Sequence, residues 1–313
     1  MTPGTTGGAA ATLRYALLLV VPAALIGVVL GWALAAPDPV QAEAPARTLA
    51  DGLGATVLGL AALPRLHDRL RPAWRMLAVF GGLWAITEFV LLATEAAEVV
   101  GVSVFHLRAG DFGDYLTHIS GGQIGIAVLI GTIVVTGYST LAHRRPEHAT
   151  ADLVLVFAAV TLVLRPITGH MSQQTLGSVL AAVHALAAAA WFGVLLALAL
   201  VVRTRGEWAV ILPRYSGWAM PAVAAVTVTG VCNGLVRIGG PAALFETGYG
   251  RILLAKTVMV LALLGLGWWW RRTWVPRASD HRMAAESSLR RALIEVAVMG
   301  AAFGLAAALS VTA

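Results

Sequence analysis

The chain has 313 residues, 58% of them hydrophobic and 12% charged, against about 25% charged in an ordinary soluble domain, which excludes a water-soluble globular protein. A hydrocarbon core about 30 Å thick takes roughly 20 apolar residues per helix, so nine spans would use about 180 residues and leave short connections. The net charge of +6 comes from basic residues set between apolar runs rather than on one soluble face; it reads as membrane topology, and no nucleic-acid partner is expected.

A Gly/Thr/Ala-rich stretch over 1–12 is expected to be a disordered tail. The first apolar run, Leu13–Ala36, is longer than a signal-peptide core and is read as a retained helix, although Ala33-Leu34-Ala35 resembles a cleavage site. The second run, Arg47–Leu63, is the weakest, because it carries Asp51, Gly52, Gly54 and Gly59. Further runs cover Trp74–Val99, Leu116–Ala142, Asp152–Ile167, Gly177–Val202, Tyr215–Ile238, Arg251–Trp270 and Ala292–Val311. The fold class is therefore all-α, a polytopic membrane bundle of about nine transmembrane helices. Trp268, Trp269, Trp270 and Trp274 close the eighth run and read as an interfacial belt. Cys232 is the single cysteine, so no disulfide framework or CxxC motif exists.

Arginines set the orientation. Those between runs two and three, four and five, six and seven, and eight and nine number fifteen, against five in the other connections. The positive-inside rule puts the first set in the cytoplasm, with the N-terminus inside and the C-terminus outside a multi-pass protein of the inner, cytoplasmic membrane.

An ionisable side chain at a helix centre costs about 2.5–3.5 kcal/mol on insertion scales, so each is a candidate for function. Several fall in the outer half: Glu95 and Glu98 at the end of run three, His106, Asp111 and Asp114 in the next loop, His118 at the start of run four, Arg165, His170 and Met171 at the end of run five, and His184 about two turns into run six. Neutral imidazole and thioether together suit a soft or borderline metal such as copper. His170, Met171 and His184 are thus the sharpest candidate site, His118 a further ligand, and an equal alternative is that the histidines are hydrogen-bonded packing residues. Two histidines on adjacent helices also suit the axial positions of a haem b, which keeps a redox protein open. Glu88 near the middle of run three and Lys256 in run eight could pair across the bundle and couple protons, while Glu295 is expected to reach the inner interface. Glu95, Glu98, Asp111 and Asp114 could draw cations into an outer vestibule, the favoured alternative being that most are solvated outer-loop acids, and Asn233 is the polar group to watch in run seven. No Walker A, Rossmann, HExxH or GxSxG motif occurs in its required context, so neither ATP-driven transport nor an enzyme is expected.

The order of several motifs is similar to the CopD copper-resistance family. They are Thr168-Gly169-His170, His184 through Trp191-Phe192-Gly193, Arg214-Tyr215-Ser216, Thr229 through Arg237, Gly248-Tyr249-Gly250-Arg251 through Lys256, and Arg290-Arg291 with Glu295. The likeness is good over 164–313, which reads as a CopD-like transmembrane region after the helices of 13–163. It is closest to the CopD-like part of fusions with a CtaG-like oxidase-assembly domain, which this chain is too short to include. The resemblance implies a membrane protein that receives a copper ion, as Cu(I), on its outer face, from a CopC-like extracytoplasmic carrier, and moves it inward. It makes His170 and His184 the principal ligands; Met171 and His118 stand as candidate supplements from their own positions, and Trp191, about two turns below His184 on the same face, is expected to pack beside the site. Two features depart from the family: the outer loops lack methionine-rich stretches, and its usual double glycine after the tryptophan is Phe192-Gly193 here. A non-transporting assembly factor for a respiratory oxidase is the remaining alternative.

Overall fold

A computed structural model describes residues 13–38, 42–168, 176–238 and 240–312. The tail 1–12, and with it His170 and Met171, lie outside the described residues. Nine helices among the described residues are long and apolar enough to cross a membrane. They are α1 (Leu13–Ala35), α2 (Ala44–Leu66), α3 (Trp74–Val100), α4 (Ser120–Arg144), α5 (Ala151–Thr168), α6 (Gly177–Val201), α7 (Arg205–Ile238), α8 (Gly248–Ser279) and α9 (Ala285–Val311). No strand occurs among them.

Helix α2 is the hub, packing against α1, α3, α5, α6 and α9. On one side α3, α4 and α5 form a group; on the other, α6, α7, α8, α9 and α1 follow one another. The small residues that weaken α2 as an apolar run are what let its neighbours approach. A Cβ on Gly59 would strike the Gly193 carbonyl of α6, and one on Gly193 would strike the Ala55 carbonyl of α2. The Phe192-Gly193 pair is thereby explained: Gly193 meets α2, while Phe192 packs on Phe303 of α9 with ring centroids 4.8 Å apart. A second seam of small residues joins α1 to α9, where Gly27 faces the Ala301 carbonyl and Gly304 the Ala24 carbonyl.

Several boundaries differ from the sequence reading. His118 does not begin the fourth span; it ends a separate helix, Ala109–His118, and the extended backbone of Ile119 (φ −104°, ψ 129°) divides it from α4. Gly122 permits this turn, because a Cβ there would collide with the Tyr115 carbonyl. Helix α7 starts ten residues earlier than expected, at a capping box: Glu207 accepts from the Arg203 and Thr204 amides, and the Thr204 hydroxyl accepts from the Glu207 amide. Helix α8 runs on to Ser279, so its tryptophans divide between two faces. Trp268 and Trp269 are exposed, whereas Trp270 and Trp274 are buried, Trp274 donating to Ser288 Oγ at 3.1 Å. Glu295 does not reach the interface. It lies ten residues into α9, which begins at Ala285, and only 6% of it is exposed.

Candidate functional site

The helix ends assigned to the outer face by the arginine count enclose a cavity of about 380 Å³ between α2, α5, α6, α7, α8 and α9. Its two walls have different chemistry.

The α2–α5 wall is a buried ion-pair network. Arg165 donates from Nη1 to Glu95 Oε1 at 2.7 Å and from Nη2 to Glu88 Oε2 at 3.1 Å. Arg47, in the first turn of α2, donates to the same Glu95 oxygen at 2.9 Å. Trp84 Nε1 donates to Glu88 at 3.2 Å, and the Tyr115 hydroxyl donates to Glu95 Oε2 at 3.2 Å. Burial, followed by the Glu95 carboxylate, pushes the Tyr115 phenol up, which keeps it a donor. At the edge of the network desolvation raises Glu43, opposed by Arg47. Glu88 and Glu95 are 3% and 7% exposed, and each buried carboxylate meets an arginine, as buried charge requires, although the Nε atoms of Arg47 and Arg165 are buried without an acceptor. Asp51, one turn below Arg47, also lines the cavity.

The opposite wall carries His184 from α6, Asn233 and Arg237 from α7, and Tyr249 and Lys256 from α8. His184 Nδ1 is 2.9 Å from Thr229 Oγ1. With the Thr229 hydroxyl donating to the Ala225 carbonyl, the matching tautomer of His184 donates from Nδ1 to Thr229 and leaves the Nε2 lone pair free. A metal-binding imidazole is oriented in this way, by a hydrogen bond at its second nitrogen. Gly230 lets the ring lie close to α7, a Cβ there falling 3.4 Å from His184 Cε1. Asn233 Oδ1 is buried without a hydrogen-bond donor. Trp191, Phe192, Met299 and Phe303 line the cavity as well.

Of the residues singled out from sequence, the structure brings some together and leaves others apart. His184, Asn233, Lys256 and Trp191 share the cavity, with Glu88 and Glu95 behind its α5 wall. Glu88 takes Arg165 as its partner, not Lys256. His118 sits away from His184, exposed and 3.8 Å from Asp114, in a separate outer depression with Asp111 and Tyr115. Residues on both sides of the segment 169–175 line the cavity, and Ser178 Oγ donates to the Ile167 carbonyl at 2.7 Å, tying α6 to the end of α5. Among the described residues no three His, Cys, Asp or Glu side chains form a metal cage. Arg47, Asp51, Arg237, Tyr249 and Met299 were not among the site candidates, although Arg237 and Tyr249 stand in the quoted motifs and Asp51 in the second run. The i, i+4 spacing of Arg47 and Asp51, which puts both on one helix face, was the available signal.

The fold and cavity define a multi-pass helical membrane protein with a polar site buried among its spans. Residues 209–309, from α7 almost to the end of α9, match the family model described as Copper resistance protein D. The chain is also 30% identical over 155 residues to the Copper transport protein CutJ of Bacillus subtilis (strain 168), an alignment covering 46% of this chain and 28% of that protein. The chain thus spans less than a third of that relative's length. No solved structure matches it.

Proposed function

We propose that this protein carries copper across the cytoplasmic membrane, taking the ion at the outer end of the bundle through His184 and passing it inward. The observation that carries the reading is the His184–Thr229 pair: a half-buried imidazole in a cavity, with its Nδ1 proton committed and its Nε2 lone pair free. The Copper resistance protein D match and the name of the Bacillus relative support the choice of metal. His170 and Met171 supply the further soft ligands in this reading, and His118 acts as an earlier contact on the exposed outer helix. Met299, on the cavity lining and 2% exposed, offers a thioether deeper in the same space. The Trp191, Phe192 and Phe303 rings exclude water from its apolar side. Orientation with the N-terminus inside and delivery by a CopC-like carrier belong to the same proposal.

The test is metal analysis and an absorption spectrum of purified protein loaded with Cu(I) under reducing conditions, wild type beside His170→Ala and His184→Ala. About one copper in the wild type, lost in both variants, is expected. Copper retained in His184→Ala overturns the assignment, and a Soret band lost in the variants moves the protein to the haem class.

A further inference from the structure

The charges around the cavity do not match evenly. On the α2–α5 wall every arginine has a carboxylate: Arg47 has Glu95 and Glu43, and Arg165 has Glu88 and Glu95. On the α7–α8 wall, Arg237 and Lys256 form no ion pair among the described residues. Arg237 stacks over the Tyr249 ring at 4.6 Å from its centroid, a contact that leaves its charge uncompensated. Asp51 lines the same cavity but makes no ion pair with either cation. Cations inside a membrane protein normally pair with carboxylates or carbonyls, and two that do not, lining one cavity, call for a ligand of opposite sign. A bare metal cation at His184 would worsen the imbalance, because Lys256 lines the same cavity.

We propose that Lys256 and Arg237 form an anion subsite, which takes a small monovalent anion of the halide class as counter-ion to the metal bound at His184. The metal half of this statement rests on the function proposed above; the anion half rests on the two unpaired cations alone. Soft Cu(I) accepts halide ligands, so an anion drawn into the cavity by these two cations can also serve the metal as a ligand. The cavity of about 380 Å³ gives the anion room. The metal would then enter as a charge-neutral unit, for which the apolar lower cavity around Trp191 and Phe303 is a suitable path.

Chloride binding is read first without metal, as broadening of the chlorine magnetic-resonance line by purified protein and its reversal by bromide. The wild type is expected to broaden the line more than Lys256→Gln and Arg237→Gln, with Lys256→Arg keeping the effect. Equal broadening in wild type and both Gln variants overturns the subsite, and using two positions guards against one variant failing to fold. Cu(I) affinity is then measured in chloride and in gluconate at matched ionic strength. Chloride is expected to raise it about tenfold, an ordinary coupling between two ligands, in wild type but not in Lys256→Gln; no chloride effect in the wild type overturns the counter-ion role. His184→Ala separates the two proposals. Anion binding that persists while copper is lost supports both, whereas copper retained in that variant overturns the metal site and leaves the anion subsite to be judged on its own line broadening.

Discussion

Replacing Thr229 by Val tests the geometry of the site without touching a proposed ligand. The side chains are nearly the same shape, Thr229 is 4% exposed, and a helix-interior Val is sterically acceptable, so packing should survive. What is lost is the acceptor 2.9 Å from His184 Nδ1. A buried N–H left without a partner costs about 1–3 kcal/mol. The ring can avoid that cost only by rotating or by moving its proton to Nε2, and either removes the lone pair from the position it holds now. Copper affinity should therefore fall by about 5–150-fold, the same energy expressed as a binding ratio. Competition against a chromogenic Cu(I) chelator measures this directly, with Thr229→Ser, which keeps the hydroxyl, restoring affinity. Wild-type affinity in Thr229→Val, alongside loss in His184→Ala, would refute the claim that the threonine sets the imidazole.

Other outcomes follow from the packing. Arg165→Met leaves Glu88 with Trp84 alone and should destabilise the protein by about 3–5 kcal/mol, the usual cost of breaking a buried pair; thermal unfolding in detergent reads it, and adding Glu88→Gln should restore part of the loss. Gly193→Ala puts a methyl group against the Ala55 carbonyl and should lower the melting temperature sharply, while Gly206→Ala, with open space around it, should leave it unchanged or slightly raised; equal behaviour of the two would contradict the α2–α6 contact. In a Cys232→Ala background, a membrane-impermeant maleimide should label Phe105→Cys on intact cells and Arg71→Cys only after lysis. The opposite pattern would reverse the orientation taken from the arginines.

The extent to which the chain could be read in advance varies with the property asked of it. Nine spans were legible because a lipid-facing helix must be apolar over its whole length. The same logic misjudged α2. Hydropathy measures what a helix shows to lipid, and α2 shows little: 56% of its apolar window is buried, against 11% in α8. A central helix can carry Arg47, Asp51 and several glycines because its neighbours, not the bilayer, satisfy or cover them. Trp270 and Trp274 failed as a belt for a related reason, since α8 continues past the apolar run and turns those rings onto Trp208 and α9.

His184 was legible as an ionisable group in an apolar run, and the arginine asymmetry placed it toward one face. Its bond to Thr229 was not, because that depends on the rotation of α6 against α7, forty-five residues away in the chain. Glu88 could be recognised as needing a cation, yet charge alone does not choose between Arg165 and Lys256; helix adjacency chose Arg165, and left Lys256 facing the cavity. The sequence by itself thus determined the class of fold and the residues too polar to be idle. Which of them meet was decided by the tertiary structure, because small-residue contacts between helices set the azimuth and depth of every side chain, and no local pattern encodes those two quantities.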